Sequence, residues 1–495
     1  MNLLTLIFGG LGLVVLQRNY AFAIYAMICC CVFAAAAVFE LPGGQTILVA
    51  NFLLLFFGLR VLMKCGPGPV LAAYRPLGAG FFLLLFACYC VFSVVVLLPA
   101  FEGRVTVFAL AQVNGTMSYV LQPLYRTGTN FSQLIYNIGN LAAFGFGFAV
   151  FRLRGAYTTV ARALLLLAGL NILFGLADLA TWVTHTPDAL KFIKNGNFTY
   201  LDTAELNGIK RISGSFSEAS GFAGFTLRLF AISFSFWLER YASRISGAIA
   251  GISLVLLAIS TSTTAYIGLA GALAITLGPN FIRPLAHGLP VKRLPALATL
   301  AAVSSVSLFC LVVLKPSVFK PVQELFDSVL FHKLDSDSGV ERGSWNAQAF
   351  RVFLDTGGLG AGVGSTRTSS SVMALLSNVG LPGALFYGMF AFRALSARYR
   401  DTLSREDRLI VKACRNGLLS AIFAQLFTAG TIDIGILNSI LFGVSASVAA
   451  PALLWRPRQS PVPTPAEPTS PPEALAGAGV ATETRYPRSE QPFVF

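Results

Sequence analysis

Charge is what this chain lacks. Only 12% of its 495 residues are Asp, Glu, Lys or Arg, about half the share of an ordinary globular domain. Hydrophobic residues make up 55% and the mean hydropathy is +0.71, so a soluble fold could not cover its surface. Also missing is the period-two alternation of a porin, because the apolar runs are continuous over about 20 residues. There are three histidines, and the eight cysteines sit mostly in apolar runs, which leaves no readable disulfide framework or Cys/His metal cluster. Residues 1–17 hold no basic n-region and no small-residue cleavage site, so a retained first helix is expected, not a cleaved signal. No tandem repeat or inverted duplication appears, which weakens a secondary-transporter layout. The net charge of +14 would suggest nucleic acid in a soluble protein. In a membrane chain it reflects loops facing anionic lipid, and no nucleic-acid partner is expected.

What is present reads as an all-α, polytopic transmembrane helical bundle of about 12–14 spans. Apolar windows fall near 3–17, 20–38, 45–63, 78–100, 131–151, 158–183, 219–238, 245–260, 263–279, 294–314, 372–395, 409–429 and 434–455. One alternating set of connections carries Arg18, Lys64, Arg75, Arg152, Arg154, Arg240, Arg244, Arg283, Lys292, Arg293, Arg398, Arg400, Arg405 and Arg408, and by the distribution of basic residues it should be cytoplasmic. The opposite set has turns without any basic residue at 41–45 and 431–433, and polar segments near 101–130, 184–218 and 316–371. All three are expected to lie outside the membrane, 184–218 and 316–371 as periplasmic segments, and the late one to contain short amphipathic helices. Residues 1–455 form the expected transmembrane domain. After it, 456–495 hold nine of the 24 prolines and read as a disordered cytoplasmic tail.

In so apolar a chain, charge near the membrane needs a partner, water or substrate. The run from Lys210 and Arg211 to Glu218 leads straight into a span. Adjacent cations and a carboxylate at a membrane boundary suit an anionic headgroup, with Arg matching phosphate oxygens and Glu serving as a proton acceptor. The plainer alternative is that the cations anchor a helix end and Glu218 caps its first turn. Residues 341–351 contain Arg342, Trp345 and Arg351, with apolar positions 345, 349, 350, 352 and 353 suited to an amphipathic helix. A Gly-rich run at 357–364, followed by Arg367, could bring backbone amides close to a phosphate or sugar. It lacks the Walker lysine of a nucleotide loop. Asp335 and Asp337 match a D-x-D spacing, but two carboxylates do not specify a metal site, so no metal and no cofactor are expected. Arg228, about nine residues inside a span, is either a pocket residue or half of a buried ion pair.

On these residues the chain resembles the bacterial O-antigen ligase and Wzy-type polysaccharide polymerase superfamily. The likeness covers roughly residues 130 to 455. It rests on the multi-span layout, Arg-x-x-Gly followed by Ser-Phe and Glu at 211–218, the Ser/Thr turn at 260–264, and a late outer loop. In that loop Arg342 and Trp345 precede the Gly-rich run, and Ser369 and Ser370 precede Gly380 and Gly383. Ligases of the superfamily carry His where Ser369 stands, so polymerase is the better match. The resemblance implies a metal-independent glycosyltransferase of the inner membrane with its active site toward the periplasm. It would act on a glycan carried by undecaprenyl diphosphate, alongside flippase and chain-length or export proteins. It also implies Arg211 and Arg342 at the diphosphate and Glu218 as base or acceptor-orienting group. Lys210, Arg228, Arg351, Arg367 and Ser369 would be further substrate contacts. A ligase, a flippase or transporter, and a non-catalytic scaffold are the alternatives.

Overall fold

The computed structural model describes residues 3–41, 45–113, 116–196, 200, 205–206, 209–287, 293–298, 337–428 and 430–453. The expected tail at 456–495, Asp335 and most of the expected span 294–314 lie outside them. The described chain is mostly helical. Among these residues six helices are long and apolar enough to cross a membrane: Ala79–Phe101, Gly128–Val150, Ala156–Val183, Ala219–Leu238, Thr263–Ile282 and Ser371–Leu395. A seventh candidate is the pair Val49–Cys65 and Pro67–Tyr74, bent by 113°, where Gly66 at φ 74° and Pro67 interrupt the helix.

The helices used below are α1 (Leu3–Gln17), α2 (Tyr20–Cys30), α3 (Val49–Cys65), α4 (Pro67–Leu71), α5 (Ala79–Phe92), α6 (Leu98–Phe101), α7 (Gly128–Val150), α8 (Ala156–Val183), α9 (Ala219–Leu238), α10 (Ser243–Ile259), α11 (Thr263–His287), α12 (Asp337–Asp355), α13 (Ser371–Leu395), α14 (Arg405–Gln425) and α15 (Ile436–Ser447). α9 is the centre. Apart from Arg228 and scattered Ser and Thr its sequence is apolar on every side, the pattern of a helix with no exposed face, and 83% of its span window is inside the protein. It packs against α8, α10, α11 and α14, while α7 packs against α3, α5 and α15. Contact with α14 is close at Gly417, where an added Cβ would lie 2.5 Å from Ile232 Cγ1 and 3.2 Å from the Arg228 carbonyl. Small residues at such crossings let two backbones approach.

Two features depart from the expected all-α bundle of about 12–14 spans. Window 20–38 does not continue as a helix: α2 stops at Cys30, and β1 (Ala37–Leu41) pairs antiparallel with β2 (Gln45–Leu48). The segment 101–130, expected as a polar loop, instead holds β3 (Thr106–Val113) and β4 (Thr116–Pro123) in a continuous antiparallel register from Thr106↔Pro123 to Val113↔Thr116. A third small pair joins β5 (Glu205–Leu206) to β6 (Ile209–Lys210). The β3/β4 ribbon carries α12, with Val105, Val107, Val352 and Ala361 in one apolar cluster. Gln348 Nε2 donates to the Thr106 carbonyl at 2.7 Å. On α12, Trp345, Ala349 and Val352 are buried and Phe350 is 45% exposed. The inward face therefore follows i, i+4, i+7 spacing, and Phe350 is not on it.

The Gly-rich run has a packing function, not the ligand-facing one expected of it. Gly360, Gly362 and Gly364 have φ of 87°, 101° and 79°, which only glycine adopts freely. Nearly all the amides nearby are consumed by the protein. Gly360 N donates to Thr356 Oγ1, Ala361 N to the Ser377 carbonyl, Gly362 N to the Asn378 carbonyl and Val363 N to Ser93 Oγ. Ser365 N and Thr366 N share Asn378 Oδ1, and Arg367 N reaches the Phe108 carbonyl. The run thus locks the first half of α13 up to its break at Gly380 (φ 60°, ψ −166°).

Candidate functional site

The site begins with Asp178, near the end of α8, whose side chain is 2% exposed. Its Oδ2 accepts from Ser213 N at 2.8 Å and Gly214 N at 3.1 Å. Its Oδ1 lies 3.3 Å from Lys210 Nζ and 3.6 Å from Lys194 Nζ, and Lys194 also donates to Ser213 Oγ at 3.0 Å. Buried charges persist when paired and hydrogen-bonded in this way. The cluster fixes the chain on both sides of Arg211. It also engages Lys210, assigned above to substrate, with a protein carboxylate.

Held between these anchors, Arg211 is half-buried and its Nε is buried without a hydrogen-bond partner. Burial lowers its pKa from the ordinary guanidinium value. Repulsion from Arg342 lowers it further, and attraction to Glu218 partly offsets the fall. Arg211 is therefore within electrostatic reach of Arg342 and of Glu218, the two residues that the resemblance groups with it. Glu218 is the residue preceding α9, but its side chain makes no cap hydrogen bond. Its Oε1 accepts from Ser220 Oγ at 2.5 Å instead.

Beside this group lies a cavity of about 240 Å³, lined among others by Glu218, Ser220, Arg228, Gln425, Thr428 and Asp433. Arg228 is 8% exposed, its Nε has no hydrogen-bond partner, and its Cζ sits 5.3 Å from the Phe225 ring centroid. No ion pair involves it among the described residues, so of the two roles left open for Arg228 the pocket one fits its surroundings. Sequence reading did not single out Asp433. It lies in a non-helical stretch before α15, whose twelve residues rise only about 18 Å against a hydrocarbon layer of about 30 Å. Asn140 Nδ2 donates to Asp433 Oδ1 at 2.6 Å and Gly435 N donates to the same oxygen at 2.9 Å. Burial nevertheless raises the carboxyl pKa above its ordinary value, and the two hydrogen bonds offset this only in part. The one available signal was an acid in a short turn otherwise free of charge.

Arg367 is not among the residues that line the cavity but lies against one of them, Gly430. Its Cζ lies 4.6 Å from the Tyr119 ring and 5.0 Å from the Trp345 ring, and the two rings meet edge to face at 5.5 Å. An added Cβ at Gly430, which lines the cavity, would come 2.5 Å from Arg367 Nη1. The β3/β4 ribbon and α12 thus supply the aromatic faces that hold this cation. Ser369 is tied to α12, donating its amide to Asn346 Oδ1 at 3.0 Å and accepting from Asn346 Nδ2 at 3.2 Å. Arg351 is exposed on α12 and does not line the cavity. Among the described residues no group of three His, Cys, Asp or Glu could hold a metal ion.

Among the described residues cations outnumber carboxylates here, and Arg211 and Arg228 are desolvated without a carboxylate ion pair. An arrangement of this kind suits a ligand carrying more than one negative charge, next to a polar pocket with two candidate proton acceptors. No protein-family model matches the chain, and no curated protein matches it.

Proposed function

We propose that the chain is a membrane glycosyltransferase that polymerises oligosaccharide repeat units carried on undecaprenyl diphosphate, acting at the periplasmic face of the bacterial inner membrane. The observation that carries the reading is the half-buried Arg211, its Nε without a hydrogen-bond partner, within electrostatic reach of both Arg342 and Glu218. Two guanidinium groups in mutual repulsion gain most from an anion placed between them, and a diphosphate leaving group develops that charge as the reaction proceeds. In the transfer, the acceptor hydroxyl oxygen forms a bond to the anomeric carbon of the donor. The bond from that carbon to the diphosphate oxygen breaks, and its electron pair leaves with the diphosphate. The hydroxyl proton passes to Glu218. Arg228 lines the cavity where the sugars would lie, with Arg367 behind Gly430 at its edge, and Asp433 supplies a second carboxylate to orient the acceptor. Flippase and chain-length or export proteins of the same pathway would supply the donor and remove the product.

The test is mass spectrometry of undecaprenyl-diphosphate glycans in a deletion strain complemented with wild type, Arg211→Ala or Arg342→Ala at matched expression. Single repeat units that accumulate and are not consumed by either variant are the expected result. Long lipid-linked polymer awaiting a final acceptor would make the protein a ligase, and units confined to the cytoplasmic leaflet would make it a flippase.

A further inference from the structure

A second cavity, of about 330 Å³, lies where α7, α13 and α15 end, beside the turn that follows α4. Its charged lining is Arg75, Arg152 and Arg393, with no carboxylate among the lining residues. Arg152 is 9% exposed, with Nε donating to the Pro451 carbonyl at 2.8 Å and Cζ 5.7 Å from the Phe148 ring. Burial depresses its pKa, and repulsion from Arg75 and Arg400 depresses it further. None of the three lining arginines forms an ion pair among the described residues. An excess of basic residues in loops is ordinary for a membrane protein, but it accounts for cations in water, not for a buried guanidinium facing a hollow. Below the cations the wall is apolar. Phe144 and Phe148 line it, and Phe144 lies roughly 9 Å along the helix axis from Val150, the last residue of α7.

We propose that this cavity binds an anionic phospholipid, its phosphate held by Arg75, Arg152 and Arg393 and an acyl chain lying against Leu77 and Phe148. Basic pockets between transmembrane helices take phosphate headgroups in this manner, and the apolar depth beneath the cations selects a lipid over a free anion. This site is separate from the transfer site and does not depend on its assignment.

Native mass spectrometry of the full-length protein in mild detergent tests it, with titration of phosphatidylglycerol, phosphatidylcholine and inorganic phosphate. Phosphatidylglycerol is expected to bind and phosphatidylcholine to bind much more weakly. Arg75→Gln with Arg393→Gln changes two exposed side chains, so folding is spared, and should weaken phosphatidylglycerol binding about 30-fold. Arg18→Gln, which removes an exposed cation of the same basic loop set, should leave binding unchanged. Equal binding of the two lipids, an equal loss in Arg18→Gln, or displacement of the lipid by millimolar inorganic phosphate would each overturn the proposal.

Discussion

Asp178→Asn removes one charge, changes almost no volume, and tests whether the segment carrying Arg211 is held in place by buried electrostatics. Wild-type Asp178 serves two ammonium groups and two backbone amides, with its own side chain 2% exposed and those of Lys194 and Lys210 3% and 6%. Asparagine keeps an oxygen for Ser213 N and Gly214 N but leaves both lysines without their shared carboxylate. Breaking a buried pair by removing one partner costs about 3–5 kcal/mol, because the remaining charge stays desolvated. Chemical denaturation of the detergent-solubilised protein should show a loss of that size. Adding Lys210→Met to Asp178→Asn removes one of the two cations that shared the lost carboxylate, so the double variant should recover part of the loss, with a coupling of at least about 1 kcal/mol. If Asp178→Asn unfolds within about 0.5 kcal/mol of wild type, or if the two changes simply add, the cluster does not hold the segment and the account of Arg211 placement is wrong.

Three further outcomes follow from the geometry. Gly380→Ala sets a Cβ against the Gly358 and Leu359 backbone at φ 60°; strain of about 1–3 kcal/mol plus the overlap should cost at least about 3 kcal/mol in the same unfolding assay. Because the Asp433 carboxyl pKa is raised, activity that depends on its ionised form should fall as pH drops through a value above the usual aspartate range, and Asp433→Asn should abolish that acid limb in a pH–rate profile. The same shift makes Asp433 a stability cost that grows as pH rises through its folded pKa and is absent below its unfolded pKa. Arg367→Lys keeps the charge but loses planar stacking on Tyr119 and Trp345, worth about 1–2 kcal/mol in a desolvated pair, and should slow transfer about tenfold without changing expression.

Much of this architecture is visible in the sequence because a membrane span writes itself in apolar length. Spans such as Ala156–Val183 and Ala219–Leu238 fall where the windows placed them. The β3/β4 ribbon was missed although Asn114-Gly115 stands between its strands, a pair that favours two-residue hairpin turns; high overall hydropathy concealed the alternation beside it. Window 434–455 suggested a full span, whereas α15 has twelve residues, since composition records apolarity and not where a helix starts. The electrostatic grouping of Arg211, Glu218 and Arg342 was anticipated only through local motifs and the resemblance. Asp433, Asn140 and the aromatic clamp on Arg367 depend on contacts between residues far apart in sequence, which no local pattern encodes.

The most direct test of the central claim uses the purified protein alone in proteoliposomes with a chemically defined undecaprenyl-diphosphate-linked repeat unit. The account predicts a ladder of longer lipid-linked glycans with release of undecaprenyl diphosphate, lost in Arg211→Ala and Glu218→Gln while both variants unfold like wild type. Donor that crosses the bilayer unextended, or a ladder that persists in both variants, would contradict it.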